Sequence, residues 1–541
     1  MFRKIQSGSF KFNRIPVWSA VLKPKVDAGA RFSMATVTKQ SENDNKQLGH
    51  LQLIGKDGSK NENDFINMVK QKLSFLNTKV YLRKGEIEIL SNPSEFYSTL
   101  KDKISGAKKR VFMASLYLGK SESELISCIS DSLRKNGNLK VYFMVDGLRG
   151  TRETPNQCSA SLLAQLEKEF GDRVDIRLYR TPEFTGLKTL IPKRFNEGLG
   201  LQHMKIYGFD DEVILSGANL SNDYFTNRQD RYYVFKNKYL SEYYFKVHEL
   251  ISKVSYRVRY SNNEQKFEMK WPESNIAIEP MKNKHEFIKQ CSGVFGTFLK
   301  GQPSMGNGHL INDFSQYPTI VYPVSQFTPL FHKHNDLSTE KPGILSILSC
   351  ISNPMNKWTF TAGYFNMLPE IKERLLASPS VDGKVITASP YANGFFKSSG
   401  ISKHLPDAYL YLSKRFLKDV HNYGKDNHIK LREWRYGTVN QPNGWSYHAK
   451  GLWISDHNND SRPCLTIVGS SNYTRRAYSL DIETNAIVLT KDDELKTAMQ
   501  AEVDNILKNT TEVTLDVFKN EEDRKISPGV KLATKILGGR L

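Results

Sequence analysis

Apolar and polar residues alternate along this chain in two similar series of short apolar runs and amphipathic stretches. In the first half, the pattern predicts one helix and four buried strands: Ser121–Lys135, and Val111–Leu118, Leu139–Asp146, Val174–Tyr179 and Gln202–Phe209. The second half repeats this: Leu368–Ala377, and Trp358–Phe365, Lys384–Ser389, Ile429–Trp434 and Ser446–Ile454. Strand–helix–strand alternation is typical of parallel or mixed sheets covered by helices. We therefore expect an α/β fold made from an internal repeat.

The length of the chain, 541 residues, exceeds what a single core supports and predicts two to four domains. We expect two α/β domains at 81–255 and 341–510, related by pseudo-twofold symmetry, with the active site at their interface. Residues 256–340 connect them, and the sequence assigns this segment no role. Residues 511–541 form a C-terminal extension that follows a predicted helix at Asp492–Leu507.

The N-terminal residues 1–40 have the composition of a mitochondrial presequence. They contain eight Lys and Arg residues against one acid, Asp27, with serines and interspersed apolar residues. Pro16 limits a first helix to about fifteen residues. The alternative interpretation is a disordered basic tail. Residues 41–80 follow as a linker that begins with a polar, Gln/Asn/Lys/Asp-rich stretch.

The net charge of +20 leaves +13 for the body after the +7 of residues 1–40. A basic body suits nucleic acid or an anionic membrane equally well, so charge does not choose between them. No run approaches the ~20 apolar residues that span a bilayer. Five scattered cysteines without CxxC spacing argue against a disulfide framework and a zinc site.

Two blocks of the sequence carry the same polar residues in the same order. Each block has a His-x-Lys pair, then a Gly- and Ser-containing turn that ends in Asn, then a carboxylate eleven residues beyond that Asn. The first block contains His203, Lys205, Asp210, Asn219 and Asp230, and the second contains His448, Lys450, Asn472 and Glu483. Coincidence does not account for two matching sets, so we interpret them as a phosphoryl-transfer site assembled from two halves.

The residue types of the two blocks fit that chemistry. In a strand, residues i and i+2 share a face, so His203 and Lys205 point into one pocket. Neutral imidazole is a nucleophile near neutral pH. Two lysines and two asparagines can bind the oxygens of a transferring phosphoryl group. Asp230 and Glu483 are the candidates to orient the histidines and stabilise imidazolium. Lysines can neutralise the charge, so the chemistry requires no metal; the sequence leaves divalent-ion stimulation open.

The blocks resemble the paired HKD motifs of the phospholipase D superfamily. The likeness is strongest to the fungal type of mitochondrial phosphatidylglycerophosphate synthases, over roughly residues 80–541. It is carried by residues 114–121, 146–152, 192–205 and 443–450. The resemblance implies transfer of a phosphatidyl group from CDP-diacylglycerol to sn-glycerol 3-phosphate, with release of CMP, through a phosphohistidine. It also implies a peripheral enzyme on the matrix side of the inner mitochondrial membrane, in the cardiolipin pathway, with no nucleic-acid partner.

The second block departs from the HKD pattern at one position. Asp210 lies five residues after Lys205, whereas Ser455 occupies the corresponding place in the second block, followed by Asp456. In the family this Asp supports the fold through a salt bridge, so its loss is tolerable. The longer spacer after Lys450 contains the polar stretch 456–463, which predicts a surface hairpin.

Two further features are weaker phosphate-binding candidates. Residues 114–121 match a relaxed Walker A pattern that ends in Gly119, Lys120 and Ser121, but the first Gly is Ala and the preceding residues have strand character. ATP binding there is therefore disfavoured, and a nucleotide phosphate at the helix N-terminus is an alternative. Arg231 and Arg475 flank the blocks and could bind the substrates' phosphates or be solvated surface charges.

Three rival functions remain open at this point. A phospholipase D-type nuclease or phosphodiesterase would use the same site, but the sequence has no array of alternating aromatic and basic residues for base stacking. A phosphatidyltransferase could use another acceptor, such as serine or phosphatidylglycerol. A non-catalytic scaffold conflicts with two complete His-Lys-Asn sets. The sequence does not assign the oligomeric state.

Overall fold

The computed structural model describes residues 65–456 and 460–540. The predicted presequence and residues 41–64 of the predicted linker lie outside the described residues. So does the middle of the predicted hairpin 456–463, whose flanking strands do pair in antiparallel fashion. In the part of the chain that the structure describes, no helix is both long and apolar enough to cross a membrane. All five cysteines lie in the described residues and are free thiols.

Twenty strands and thirteen helices make up the described chain. The strands are β1 Val80–Leu82, β2 Ile87–Leu90, β3 Arg110–Ser115, β4 Lys140–Asp146, β5 Val174–Tyr179, β6 Ile206–Phe209, β7 Glu212–Ser216, β8 Arg228–Gln229, β9 Tyr232–Phe235, β10 Tyr256–Tyr260, β11 Phe267–Lys270, β12 Thr319–Gln326, β13 Lys357–Ala362, β14 Asp382–Ala388, β15 Ile429–Trp434, β16 Ser446–Tyr447, β17 Lys450–Ser455, β18 Pro463–Gly469, β19 Glu483–Thr490 and β20 Thr510–Val513. The helices are α1 Phe65–Lys72, α2 Pro93–Gly106, α3 Ser123–Lys135, α4 Ser159–Phe170, α5 Asn222–Thr226, α6 Lys238–Ser252, α7 Lys284–Lys300, α8 Glu340–Leu348, α9 Pro369–Ala377, α10 Leu405–Asn422, α11 Asp493–Leu507, α12 Val517–Asn520 and α13 Pro528–Leu537.

Two nine-stranded mixed sheets dominate the fold, and their strand orders show the internal repeat. The first has the order β11-β10-β5-β4-β3-β6-β7-β9-β2, and the second has the order β1-β12-β19-β18-β17-β13-β14-β15-β20. Strands β3, β4 and β5 are parallel, as are their counterparts β13, β14 and β15, while the other neighbours are antiparallel. Eight strands of each sheet therefore correspond in order and direction, which confirms the predicted α/β repeat.

The alternation of side chains along the strands separates three hydrophobic cores. In β3, Val111 and Met113 face an outer core with α2, α3 and α4, whereas Phe112 and Ala114 face a central core. The central core also receives residues of the second sheet, such as Trp453, and of α6, α7 and α11. A third core lies on the outer side of the second sheet with α1, α8, α9 and α10. The two sheets thus share one interior.

Several segments without a sequence assignment have clear places in the sheets. Within the predicted connecting segment 256–340, β10 and β11 extend the first sheet, and β12 joins the second. Part of the predicted linker 41–80 is folded, because α1 packs its buried Phe65, Ile66 and Val69 on the second sheet's outer core. The proposed domain boundaries stay predictions.

The predicted strands around the two histidines are too long. The strand predicted at Gln202–Phe209 begins at Ile206, and the one predicted at Ser446–Ile454 is interrupted at residues 448 and 449. The reason is that the chain at each His is bonded to the opposite half of the molecule rather than to its own sheet.

Candidate active site

The two sequence blocks lie at equivalent edges of the two sheets. The parallel strands β3 and β4 end at one edge of the first sheet. Because β6 is antiparallel to β3, it begins at that edge. Strand β7 then ends there, and β9 begins there. The second sheet has the same arrangement in β17, β18 and β19. His203 and Lys205 precede β6, whereas His448 lies between β16 and β17. Each block thus delivers its polar residues to one edge.

Each histidine is held by the carboxylate of the other block. The Nδ1 atom of His203 lies 2.8 Å from Oε1 of Glu483, and that of His448 lies 2.6 Å from Oδ2 of Asp230. The backbone repeats this exchange. The N–H of His203 donates to the carbonyl of Ile482 at 2.9 Å, and the N–H of His448 donates to that of Gln229 at 2.9 Å. The two halves therefore complete each other's His–carboxylate pair.

The carboxylate bound to each histidine determines which imidazole nitrogen is reactive. A carboxylate only accepts hydrogen bonds, so it places the imidazole proton on Nδ1 and leaves the lone pair on Nε2. His203 and His448 are 8% and 4% exposed, so these lone pairs are shielded from bulk water. An arrangement of this kind orients an imidazole for nucleophilic attack or proton transfer and stabilises its cation.

Both lysines of the blocks are buried beside the histidines. Lys205 donates from Nζ to the carbonyl of His203 at 2.6 Å. The Nζ of Lys450 lies 2.7 Å from Nδ1 of His448 and 3.5 Å from Oδ2 of Asp230. Burial lowers the pKa of Lys205 to about 7 and also lowers the pKa of Lys450. An anionic phosphoryl group in the site would favour their charged forms.

Burial controls the charge of the histidines and carboxylates as well. Burial lowers the pKa of both imidazoles well below the ordinary value. Lys205 lowers the pKa of His203 further, and Lys450 lowers that of His448. Burial raises the pKa of Glu483 to about 7. Burial acts to raise the pKa of Asp230, but Lys450 and, to a smaller extent, His448 lower it below the ordinary value. At neutral pH both imidazoles are therefore neutral, as a nucleophile or a base requires.

Asn219 and the turn before it also belong to the cluster. Asn219 accepts from the N–H of Leu116 at 3.3 Å and donates to the hydroxyl of Tyr224 at 3.1 Å. The Oδ1 atom of Asn472 is buried and has no hydrogen-bond partner in the described structure. A Cβ at Gly217 would lie 2.5 Å from both Oδ1 of Asp230 and Nζ of Lys450. The first block's turn thus packs against the second block's lysine.

Two tyrosines that sequence reasoning missed flank the second histidine. The hydroxyl of Tyr224 lies 3.3 Å from Nε2 of His448, and its ring meets the imidazole edge-on at a centroid distance of 5.2 Å. The ring of Tyr364 packs on the same imidazole at 5.4 Å. Tyr224 follows Asn219 by five residues, but Tyr364 has no signal in the sequence that ties it to either block.

Further buried polar residues support the first histidine's segment. Asp146, at the end of β4, accepts from the N–H of Gln202 at 2.9 Å, and burial raises its pKa to about 7. Asp481 accepts from the N–H of Leu201 at 2.9 Å and pairs with Arg476 at 3.1 Å. In the sequence, only the family resemblance of residues 146–152 drew attention to Asp146.

Two predicted site residues serve the fold instead. The carboxylate of Asp210 accepts from the backbone N–H groups of Lys108, Lys109 and Arg110 at 2.8, 2.8 and 2.9 Å. It lies at the far end of β6 from Lys205, about 17 Å along an extended chain. Its support comes from backbone groups rather than from the expected salt bridge, and it takes no part in the cluster.

The predicted phosphate-binding role of Arg231 is corrected for a similar reason. Its guanidinium pairs with Glu502 at 2.8 Å, bonds to the carbonyl of Ile467 at 2.7 Å and stacks 3.9 Å from the ring of Trp453. All five of its N–H groups have partners in the protein. It is 1% exposed, so no donor remains for a substrate.

The Walker-like stretch and Arg475 lie outside the histidine cluster. Ala114 belongs to β3, and the hydroxyl of Ser121 donates to Glu122 at 3.1 Å. The buried carboxylate of Glu122 also accepts from the N–H of Asn222, so it places negative charge beside the turn that Gly119 and Lys120 form. Arg475 is exposed and lines a cavity near the C-terminus. Among the described residues, no group of three or more His, Cys, Asp or Glu is arranged to hold a metal ion.

Comparison with known proteins identifies the family of this chain and a solved structure that shares its fold. No protein-family model matches the chain. A curated relative from Saccharomyces pastorianus, named CDP-diacylglycerol–glycerol-3-phosphate 3-phosphatidyltransferase, is 58% identical over 88% of this chain and 93% of its own length. A mitochondrial human protein of the same name is 31% identical, over 84% of this chain and 82% of its own. A solved phosphatidylserine synthase from Haemophilus influenzae shares the fold with a TM-score of 0.63 at 20% identity, over 87% of this chain and 97% of its own.

The paired sheets form a fold that the solved phosphatidylserine synthase shares, and they bring the two His-Lys pairs together. The chain belongs to the family of the CDP-diacylglycerol–glycerol-3-phosphate 3-phosphatidyltransferases.

Proposed function

We propose that this protein transfers the phosphatidyl group of CDP-diacylglycerol to sn-glycerol 3-phosphate, giving phosphatidylglycerophosphate and CMP. The observation that carries the proposal is the pair of buried histidines, each oriented by the other block's carboxylate and each beside a buried lysine. The relatives named for this reaction cover most of the chain at up to 58% identity. Both supports point to phosphoryl transfer between two bound anionic substrates.

In the first step, Nε2 of His203 attacks the phosphorus that bears diacylglycerol. The N–P bond forms, the P–O bond to CMP breaks, and Glu483 stabilises the imidazolium at Nδ1. Lys205, Lys450, Asn219 and Asn472 bind the phosphoryl oxygens. CMP leaves as a phosphate whose second pKa is about 6, so its departure needs little help from an acid.

In the second step, Nε2 of His448 takes the proton from a hydroxyl of glycerol 3-phosphate. The new P–O bond forms, the N–P bond to His203 breaks, and Asp230 stabilises the protonated His448. The buried Lys205 suits this sequence, because each bound phosphate raises the pKa of an ammonium that burial has lowered to about 7. The assignment of His203 as nucleophile and His448 as base extends the family resemblance.

The setting we propose is the matrix side of the inner mitochondrial membrane, with the protein bound to the lipid surface from one side. Relatives from human, chicken and mouse are named as mitochondrial proteins. A lipid donor and a water-soluble acceptor meet most simply at an anionic membrane surface, which a basic protein binds.

Product identification tests the proposal directly. The purified full chain is incubated with CDP-diacylglycerol and either glycerol 3-phosphate or serine, and the lipids are identified by mass spectrometry. We expect phosphatidylglycerophosphate with glycerol 3-phosphate, no product with serine, and loss of turnover in both His203→Ala and His448→Ala. The exposed His421 provides a matched control, His421→Ala, which keeps activity. Transfer to serine, or full activity of His203→Ala, would refute the proposal.

A further inference from the structure

Exposed apolar side chains concentrate in two short segments of the surface. Among the described residues, nine large apolar side chains other than tyrosine expose more than half of their surface, and six of these lie in residues 186–199 and 528–540. Their exposed fractions run from 56% to 86%. The six are Leu187, Leu190, Phe195, Leu532, Ile536 and Leu537. A folded protein scatters such residues singly, so a concentration of this kind marks an interaction surface.

The two segments lie side by side. The guanidinium of Arg540, just beyond α13, donates to the carbonyl of Gly198 at 2.6 Å. Helix α13 buries Val530 and Thr534 against the body, which leaves the opposite face with Leu532 and Ile536 toward solvent. We call residues 186–199 and 528–540 together the rim surface.

The rim surface is attached to the segment that carries the first histidine. His203 follows Gly198 by five positions, so the two lie at most about 18 Å apart along the chain. Arg476 donates to the carbonyl of Glu197 at 2.9 Å and pairs with Asp481, which in turn binds the N–H of Leu201. A phosphate group held at His203 therefore lies close to the start of the rim surface, with Gly198 at most about 18 Å away.

The charge of the rim surface is positive. It contains six basic residues and one acid, Glu197. A cavity of about 240 Å³ opens between α13 and the body, and its lining includes Lys372, Arg415, Arg475 and Lys535 together with Asp419. An amphipathic helix with exposed Leu and Ile between lysines is the pattern of helices that lie in a membrane interface, and its charge complements anionic lipid.

We propose that the rim surface docks the protein on an anionic membrane. Its apolar side chains enter the membrane interface, and its Lys and Arg side chains bind the lipid headgroups. The histidine cluster is then held over the lipid donor. This inference rests on the proposed function, because it takes the donor to be a membrane lipid. It adds the part of the molecule that faces the bilayer.

Vesicle flotation with the full chain tests the docking. The vesicles contain phosphatidylcholine alone or mixed with phosphatidylglycerol. We expect the wild type to bind the mixed vesicles, and Leu532→Ser/Ile536→Ser and Leu187→Ser/Leu190→Ser each to weaken binding at least about tenfold. Lys531→Gln/Lys535→Gln should reduce the preference for phosphatidylglycerol. The matched control, Leu310→Ser/Met355→Ser, removes apolar side chains that are 58% and 59% exposed elsewhere and should bind as the wild type does.

A second measurement separates docking from the proposed function. In detergent micelles, where the donor no longer lies in a bilayer, we expect the rim variants to keep the turnover of the wild type. Rim variants that bind vesicles as tightly as the control would overturn the docking surface and leave the proposed function untouched. Light scattering supplies another decisive result: a dimer that the rim substitutions convert to monomers would identify the surface as an interface between copies of this chain and overturn the proposal.

Discussion

At the scale of single residues, the main feature is that His203 and His448 each borrow a carboxylate from the other sequence block. Glu483 lies 2.8 Å from His203, and Asp230 lies 2.6 Å from His448. The consequence is that neither half has a complete His–carboxylate pair by itself. A substitution at one carboxylate should therefore affect the step that is served by the histidine of the other block.

Glu483→Gln should slow the first displacement, and Asp230→Asn the second. Loss of an orienting carboxylate lowers the rate by roughly 10²- to 10⁴-fold. We expect Glu483→Gln to slow the release of CMP in the absence of acceptor. Asp230→Asn should release CMP once and then pass the phosphatidyl group slowly to glycerol 3-phosphate. Rapid-quench kinetics distinguish these steps. If Asp230→Asn rather than Glu483→Gln slowed CMP release, the result would contradict the pairing of Glu483 with His203 and of Asp230 with His448.

The pH dependence should show the titration of Lys205. Burial lowers its pKa to about 7, so this lysine is charged below pH 7 and loses its charge, and its attraction for phosphate, as the pH rises above it. Glu483, whose pKa is also about 7, gains its charge beside His203 over the same range, so we expect a bell-shaped kcat/KM profile whose falling limb above about pH 7 reports Lys205. In kcat the fall should come at higher pH, because a bound phosphate raises the pKa of the lysine.

Lys205→Arg provides the control for that pH profile. Arginine stays charged throughout the range, so its kcat/KM should be lower overall but should lack the decline above pH 7. A decline of the same shape in the variant would assign the titration to another group.

At the scale of elements, the turn after β7 packs against Asp230 of its own block and Lys450 of the second block. A Cβ at Gly217 would lie 2.5 Å from Asp230 and from Lys450. Gly217→Ala should therefore displace these side chains and lower kcat by about 10²-fold or more, as misplacement by ~1 Å does. The thermal midpoint should change much less than kcat.

Gly137→Ala is the matched control, because a Cβ at Gly137 has no atom within 4 Å. It should leave both activity and thermal midpoint unchanged, as measured by steady-state kinetics and calorimetry. Equal loss of activity in the two variants would show that close packing at Gly217 has no special role.

The sequence predicts the elements well where the pattern is local. Strand Val174–Tyr179 and strand Ile429–Trp434 have the predicted bounds, and the predicted helix Leu368–Ala377 begins one residue later. The strands at the histidines are shorter than predicted, because residues 201 and 203 hydrogen-bond to residue 482, and residues 446 and 448 to residues 227 and 229, across the molecule. Such a contact spans 280 positions of sequence, and no periodicity in the chain reports it.

The same limit applies to the site. Spacing identifies the His, Lys and Asn residues and the two carboxylates, because the chemistry requires these types and the repeat presents them twice. It does not indicate which carboxylate meets which histidine. The position of Arg231 beside the first block predicted a phosphate-binding role, which is wrong. In a sequence, a charged residue next to a motif looks the same whether its side chain is exposed or buried. Tyr364 reaches His448 only through tertiary packing.

At the scale of the whole molecule, Arg231 joins the two sheets. It leaves the first sheet beside β9, bonds to carbonyls of β17 and β18, and pairs with Glu502 of α11. This bond set connects both halves behind the active site. The relative position of the histidines should therefore depend on it.

Arg231→Met should destabilise the fold by about 3–5 kcal/mol, because it leaves the buried carboxylate of Glu502 without its partner. Chemical denaturation measures the change. Arg231→Met/Glu502→Gln removes that unpaired charge and should recover part of the loss. Arg134→Met removes ion pairs at the exposed surface and should leave the midpoint unchanged. A midpoint for Arg231→Met equal to that of Arg134→Met would contradict the structural role.

The central claim is that the two halves meet in one site where a histidine carries the phosphatidyl group between donor and acceptor. The stereochemical course at phosphorus tests it most directly, with CDP-diacylglycerol made chiral by oxygen isotopes at the phosphorus that bears diacylglycerol. Two in-line displacements, first by His203 and then by the acceptor, each invert the centre, so the account predicts net retention in the phosphatidylglycerophosphate formed. Net inversion would mean a single direct displacement by glycerol 3-phosphate and would contradict the account.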